Sequence, residues 1–574
     1  MSWLLGEVVK GKNKFSDFNK ISNEKVFHSF SNNNINLVSG GNSRNLYSFN
    51  ISNRNIFVAG IGIDNSGGIN KVMDKKDWEI SLKKGIEKTL NLDGHYVIII
   101  VEDTKVEIFT DKLGLRDIYI RELDDRIIFS TKIKLLTYFG NLEINFAEFS
   151  SRWLLFNQIS QESVFKDCKR LVAGKSASIN IDENCKVTYG YNNFEFSEKP
   201  FDSAEYESRL TSLVNLNISK SEKLSLSLSG GMDSRVILSI LLKNRKEFFE
   251  THSFGNPSHP DSQVAKQITD KLNIQHHQYN STNDVVDDLI MDIENYTTET
   301  VVNNAASAIM QLKNYKYLSE RNLVVIDGGF GEIWRREFFY KLLIKGRKAL
   351  LSGNIDEIIS YLTLPRADIF SEDVILEMKN GVKNQLSNIF DLLPKINKNN
   401  IEDWLDHFAL LTRLPNYYSH EQTRLDEMIT AVMPFVQQSL ISNLFGVEIR
   451  ERKNGRLFKK IIKRNSSELT DYDLVKGTTK HPYYLNSLQS RLWSIMIKKL
   501  GKDNRGVSNT DILLKLLKEY IYDNINSKSI TESSIYDKTK IQNLVNDYYS
   551  GTQKNGYSVD WLLAFILFNR SMSR

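Results

Sequence analysis

The sequence predicts two successive domains. A layered α+β unit spans 1–200, and an α/β unit built on a parallel sheet, with a helical C-terminal part, spans 201–574. Three observations carry this expectation. A chain of 574 residues is too long for one core. Up to about residue 200, short apolar runs alternate with Asn, Asp and Gly turns, the pattern of a strand-rich unit. Beyond it, apolar runs end in glycine and pass into helical spacing, and that strand-then-helix order calls for a parallel sheet.

Bulk properties narrow the class of function. Hydrophobic residues make up 41% and charged residues 25%, ordinary for a globular chain. A formal charge of +5 gives nucleic-acid binding no support. The two cysteines, Cys168 and Cys185, exclude a disulfide framework and a cysteine-rich metal site, and suit a reducing cytoplasm. No basic-then-apolar leader is read at 1–20, and no apolar run approaches eighteen residues. A cytoplasmic chain without a membrane span is therefore expected.

The N-terminal unit is read from Ile56-Phe-Val-Ala-Gly60, Tyr96-Val-Ile-Ile-Ile-Val101 and Val106-Glu-Ile-Phe-Thr110 as strands, with a helix near Trp78–Leu90. The second unit opens on Leu224-Ser-Leu-Ser-Leu-Ser-Gly-Gly-Met-Asp-Ser-Arg235, a strand broken by two glycines and continued by the apolar helix Val236–Leu242. Gly230 and Gly231 let backbone approach an anion, and the helix start directs N–H groups and a positive dipole end at the same point. Ser229 and Ser234 add hydroxyl donors. Asp233 does not favour a bare phosphate, so its expected role is to hold Mg²⁺ on a pyrophosphate. The Lys-Ser/Thr ending of a Walker loop is missing, which argues against a kinase-like or GTPase reading.

Glu250-Thr-His-Ser-Phe-Gly-Asn256 reads as a second strand ending in glycine, followed by helical spacing from Asp261 to Leu272 and then Ile274-Gln-His-His-Gln278. His276 and His277 are adjacent on a strand and face opposite ways, so structural roles are expected rather than a shared metal. Leu323-Val-Val-Ile-Asp-Gly-Gly-Phe-Gly-Glu-Ile-Trp334 reads as a buried parallel strand whose C-terminal end faces ligand. Arg335 and Arg336 follow and could meet an acidic substrate or phosphate, although an exposed pair at a helix start is the commoner arrangement and the one expected. From about 340 onward helical spacing dominates, with a basic run at Arg450–Arg464 and a closing core helix in Val559–Phe568.

Ser229-Gly-Gly-Met-Asp-Ser234 resembles the pyrophosphatase loop of ATP pyrophosphatases, and the chain as a whole resembles the asparagine synthetase superfamily. Leu92–Ile100, Asp111–Tyr119 and Phe129–Leu136 look like three successive blocks of that family's glutaminase domain. The resemblance implies an Ntn-hydrolase-like sandwich followed by an ATP-pyrophosphatase fold, adenine nucleotide α-hydrolase-like, with ATP and Mg²⁺ as cofactors. Leu228, Ser229, Gly230, Gly231, Asp233, Ser234, Ser253, Phe254, Asp327 and Gly328 take the nucleotide-binding places, and Asp233 with Glu332 the metal-binding places. Lys476, with Lys480 as second choice, falls where the family's phosphate-contacting lysine lies, and with Glu332 these are the expected catalytic residues. A cation there would stabilise charge at the transition state.

Departures from the family pattern shape the expected reaction. The first Glu of the second loop is Gly329, and that position helps handle the acceptor, so asparagine formation itself is not implied. Pro434 and Phe435 match the family's turn, while Val432 and Gln437 replace its Arg and Asp. A working glutaminase exposes an N-terminal cysteine; here Ser2 follows Met1, and no glutamine-binding block is recognisable. The leading expectation is an ATP-dependent, AMP-forming amide ligase. It would adenylate a small-molecule or peptide carboxylate and pass it to ammonia or a substrate amine, as in the relatives β-lactam synthetase and lasso-peptide cyclase. Competing readings are glutamine-dependent asparagine synthesis through Ser2 and a non-catalytic nucleotide-binding scaffold. No nucleic-acid or membrane partner is expected, and a homodimer is compatible with the sequence.

Overall fold

The computed structural model describes residues 2–573 apart from 12–13, 19–25, 66–69, 193, 198, 220–221, 246, 281–285, 300, 302–304, 427, 501–508 and 554–555. Residues 3–191 form two antiparallel sheets. The first runs in the order Cys168–Leu171, Ile118–Glu122, Arg126–Ser130, Trp3–Val9, Ile35–Gly40, Val26–Ser31. The second runs Lys186–Tyr191, Lys175–Asn180, Lys105–Thr110, Asp93–Val101, Arg54–Asp64, Leu46–Ile51, with Lys71–Val72 paired to Arg54–Asp64. Side-chain alternation brings Leu4, Val8 and Leu37 of the first sheet together with Phe57, Val97 and Ile99 of the second in one buried cluster. On its other side the second sheet buries Val58, Tyr96 and Ile98 with Trp78 and Leu82 of the helix Lys75–Lys83. Both faces being covered, Asp93–Val101 is buried throughout, and its Tyr96–Val101 part reads as a continuous apolar run.

The later strands form a parallel sheet. Lys223–Ser227 is central, with Phe249–Phe254 and His276–Tyr279 on one side and Leu323–Ile326 and Thr430–Val432 on the other. The strand order reverses direction between Lys223–Ser227 and Leu323–Ile326, which opens a crevice outside their carboxyl ends. The fold class is thus mixed α/β, with a parallel sheet beside antiparallel ones.

Helices dominate beyond 340, including Glu372–Leu392, Ile401–Arg413, Arg456–Asn465 and Tyr557–Met572. The last is a core helix, as its sequence predicts: Phe565 lies 5.3 Å from the Trp153 ring and 4.9 Å from that of Phe370. In the basic run, Arg456–Asn465 buries Leu457, Phe458, Ile461 and Ile462, so its lysines form the outer side of an amphipathic helix. No helix among the described residues is long and apolar enough to cross a membrane.

Candidate active site

Both glycine-containing loops leave the two strands that flank the crevice. The first joins Lys223–Ser227 to the helix Met232–Asn244, whose N-cap is Gly231 and has no side-chain cap. Its early N–H groups are the natural donors to an anion. Within the loop, Ser234 Oγ accepts from the Ser229 N–H at 3.1 Å and Ser229 Oγ accepts from the Gly231 N–H at 3.1 Å. The Gly230 N–H donates to Asp261 Oδ1 at 2.9 Å, from the start of the helix Pro260–Lys271. A Cβ at 230 would lie 2.3 Å from Val475 Cγ2, because the strand Leu474–Lys476 docks on the loop through Val475 N–H to Gly230 O at 3.0 Å. Ser253 Oγ donates to Leu228 O at 2.5 Å, and the Phe254 ring packs 5.0 Å from Tyr315.

The second loop crosses the first. Asp327 is half-buried, its desolvation raises the carboxyl pKa, and its Oδ1 accepts from the Gly329 N–H at 2.7 Å. A Cβ on Gly328 would meet Ser234 N at 3.0 Å, and one on Gly331 would lie 2.5 Å from Asp233 Cγ. Two loops far apart in sequence are thus in van der Waals contact. Glu332 lies within electrostatic reach of Asp233, and burial, then the Asp233 charge, raise its pKa.

Asp233 has a strong partner. Arg335 Nε and Nη2 each donate to one of its oxygens at 2.7 Å. Burial opposes the Arg335 charge, but Asp233 and Glu337 more than offset this and raise its pKa. Glu337 in turn accepts from Lys476 Nζ at 2.7 Å and Ser487 Oγ at 2.9 Å. Burial would raise the Glu337 carboxyl, but Arg335 and Lys476 bring it down to about 2. An alternating chain Asp233, Arg335, Glu337, Lys476 therefore runs from the glycine loop to the hairpin. Lys480 stands outside it, with Nζ on Gln263 Oε1 at 2.7 Å. The expectation of an exposed arginine pair is corrected: Arg335 side-chain exposure is 16% and that of Arg336 3%, because each meets a carboxylate, Asp233 and Asp406 respectively.

His252 and His276 are each held by a neighbouring hydroxyl. His252 Nδ1 is 2.7 Å from Ser225 Oγ, and His276 Nδ1 is 2.8 Å from Thr251 Oγ1. Burial, then neighbouring charge, lowers His252 to about 3 and His276 to about 4, from 6.5. An imidazole held neutral in the fold but free to protonate when unfolded contributes stability above pH 6.5 that is lost as pH falls towards its folded value. His252 alone is expected to remove about 2 kcal/mol between pH 7 and pH 5. Urea unfolding at pH 7, 6 and 5 checks this, and His252→Gln should flatten the slope.

Ser2 lies at a different junction, fully buried. Its Oγ donates to Asp426 O at 3.2 Å and is 3.2 Å from Arg116 Nη2. Arg116 is aimed there by its own turn, in which Asp111 accepts from the N–H groups of Leu113, Leu115 and Arg116. Its Nη1 donates to Asp426 Oδ2 at 2.7 Å, and His95 Nε2 lies 2.8 Å from Asp426 Oδ1. A residue 424 positions away thus occupies the space beside the Ser2 hydroxyl.

Comparison with known proteins matches residues 205–329, which hold the first loop and the start of the second, to the asparagine synthase family model. That stretch is similar to the asparagine synthase family, and the similarity is confined to part of the chain. Among curated relatives, the glutamine-hydrolysing asparagine synthetase of Bos taurus is 26% identical over 283 residues, 45% of this chain and 48% of that one. The Homo sapiens protein of the same description is 26% identical over 284 residues, and that of Zea mays 23% over 265. The chain spans about half the length of these relatives, 48%, 48% and 40% respectively. Among solved structures, a glutamine phosphoribosylpyrophosphate amidotransferase from B. subtilis complexed with ADP and GMP is 11% identical. It covers 57% of this chain and 75% of its own, at a TM-score of 0.20, and at that score the likeness carries no argument.

Of the expected metal pair, Asp233 is engaged by Arg335 in this structure. Arg335 holds both oxygens of Asp233, and a cation placed beside them would sit next to a guanidinium. The loop offers no further carboxylate at 331, where glycine is required by the closeness of Asp233. Among the described residues, no group of three or more His, Cys, Asp or Glu side chains is gathered as a metal site. Sequence reading also missed Asp261 as the partner of Gly230 and Glu337 as the link to Lys476. The first could have been suspected, since Asp261 opens a helix beside the sheet end; nothing local marks Glu337.

Proposed function

We propose that the chain is an ATP-dependent, AMP-forming amide ligase whose N-terminal unit, 1–200, is an inactive glutaminase-like sandwich of Ntn type and whose unit 201–574 is the ATP-pyrophosphatase part. The observation that carries it is the meeting of the Ser229–Ser234 and Asp327–Glu332 loops at the strand-order reversal, the first within and the second at the end of the stretch that matches the asparagine synthase family. In this reading a substrate carboxylate oxygen bonds to the α-phosphorus of ATP and the α–β bridging P–O bond breaks, releasing pyrophosphate. A nitrogen then attacks the acyl carbon, loses a proton, and AMP leaves with its oxygen. Ser229, Gly230, Gly231 and Ser234 cradle the phosphates, Ser253, Phe254, Asp327 and Gly328 border the nucleoside, and Lys476 stabilises developing negative charge. Lys476 is preferred to Lys480 because its ion-pair chain reaches Asp233.

The nitrogen is ammonia or a substrate amine rather than one released by Ser2. Attack on a glutamine amide needs space beside the hydroxyl, and Asp426 O and Arg116 Nη2 both lie 3.2 Å from Ser2 Oγ. ATP–pyrophosphate exchange across a panel of amino acids, dicarboxylates, uronates and peptides tests the ligase: at least one should stimulate exchange, and a scaffold would show none. Glutamate release from glutamine is expected at the same background in the native chain and in Ser2→Ala. A clear loss in Ser2→Ala would restore the glutaminase reading.

A further inference from the structure

Arg335 engages both oxygens of Asp233, the carboxylate expected from the sequence to hold a metal. Its guanidinium lies flat against Asp233, with two N–H···O contacts of 2.7 Å, and its Nη1 stands 3.8 Å from Glu337 Oε1, beyond hydrogen-bond range. A guanidinium carries five N–H donors, so about three remain after the Asp233 pair is made, in the planar fork that suits phosphate oxygens. Asp233 and Glu337 hold the group in place from either side, and Gly331 leaves room for Asp233 to stand where it does. Magnesium, by contrast, requires compact octahedral coordination and keeps several waters, which a carboxylate already gripped by a fork does not favour.

We propose that Arg335 replaces the divalent cation in this chain, so that the site recognises the pyrophosphate of a nucleotide without metal, with Asp233 as the residue that positions Arg335 rather than a metal ligand. This rests on the reading of the two loops as an ATP site. Lys476, tied to the same chain through Glu337, supplies the second positive charge.

The test is calorimetric titration of the full chain with inorganic pyrophosphate and with α,β-methylene-ATP, each in EDTA and in Mg²⁺. Native protein is expected to bind both ligands in EDTA with affinity close to that in Mg²⁺. Arg335→Gln should weaken binding in EDTA by roughly 10–100-fold, the loss of charged hydrogen bonds. It should recover part of that in Mg²⁺, because a freed Asp233 can then take a cation; a merely structural arginine would not make affinity metal-dependent. Arg335→Lys, which keeps the charge, guards against misfolding and should lose less in EDTA than Arg335→Gln. Binding by the native chain only when Mg²⁺ is present would overturn the inference while leaving the ATP reading intact. Binding of neither ligand in either buffer would overturn the ATP reading and the inference with it.

Discussion

Asp426→Asn is expected to lower the thermal unfolding midpoint by roughly 10 °C, the consequence of about 3–5 kcal/mol lost from a buried ion pair. Asp426 and Arg116 both have 0% side-chain exposure, and their contact is 2.7 Å. The same carboxylate meets His95 at 2.8 Å and Gln422 Nε2 at 3.0 Å. Loss of its charge leaves the buried Arg116 guanidinium on neutral partners such as Ser2 O, and its Nε is already without a hydrogen bond. An exposed pair offers the contrast: Lys83 and Glu79 are 58% and 41% exposed. Glu79→Ala should therefore leave the unfolding midpoint close to that of the native chain. Because this junction joins the sheet carrying Ser2 to the segment Ser419–Asp426, limited proteolysis of Asp426→Asn should also release fragments faster.

Gly331→Ala is expected to cut ATP–pyrophosphate exchange by about 100-fold while leaving the unfolding midpoint near that of the native chain. The added methyl would lie 2.5 Å from Asp233 Cγ and 2.6 Å from Oδ1. A flexible side chain could swing aside, but Asp233 is held by two hydrogen bonds from Arg335, so both shift together. The change displaces the charges that face the phosphates without opening a cavity or breaking the sheet. Exchange rate and unfolding midpoint measured on the same preparation separate the two effects.

Local chemistry made part of this legible in the sequence. The alternation of Leu224–Ser229 and the glycines after it specify strand, turn and helix within a dozen residues, and the apolar Leu323–Ile326 run specifies a strand buried on both faces. What could not be read was pairing at long range. Arg335 and Arg336 look alike in sequence, yet one meets Asp233 and the other Asp406, 102 and 70 positions away. The adjacency of the two side chains says nothing of this, because the turn that carries them aims them at different elements. Asp426 reaches the Ser2 end for the same reason: the packing of one half on the other decides it, and no periodicity records that packing. The metal expectation for Asp233 and Glu332 rests on family resemblance, and the ion pair of Asp233 with Arg335 was not legible beside it in the sequence.

The central claim, that nucleotide phosphates sit between the two loops at the strand-order reversal, is tested most directly by hydrogen exchange of the full chain with and without α,β-methylene-ATP. Protection is predicted in 228–235 and 327–335, extending to the hairpin at 474–481, with the sheets of 3–191 unchanged. Protection confined to 3–191, or none in either loop at saturating ligand, would contradict it.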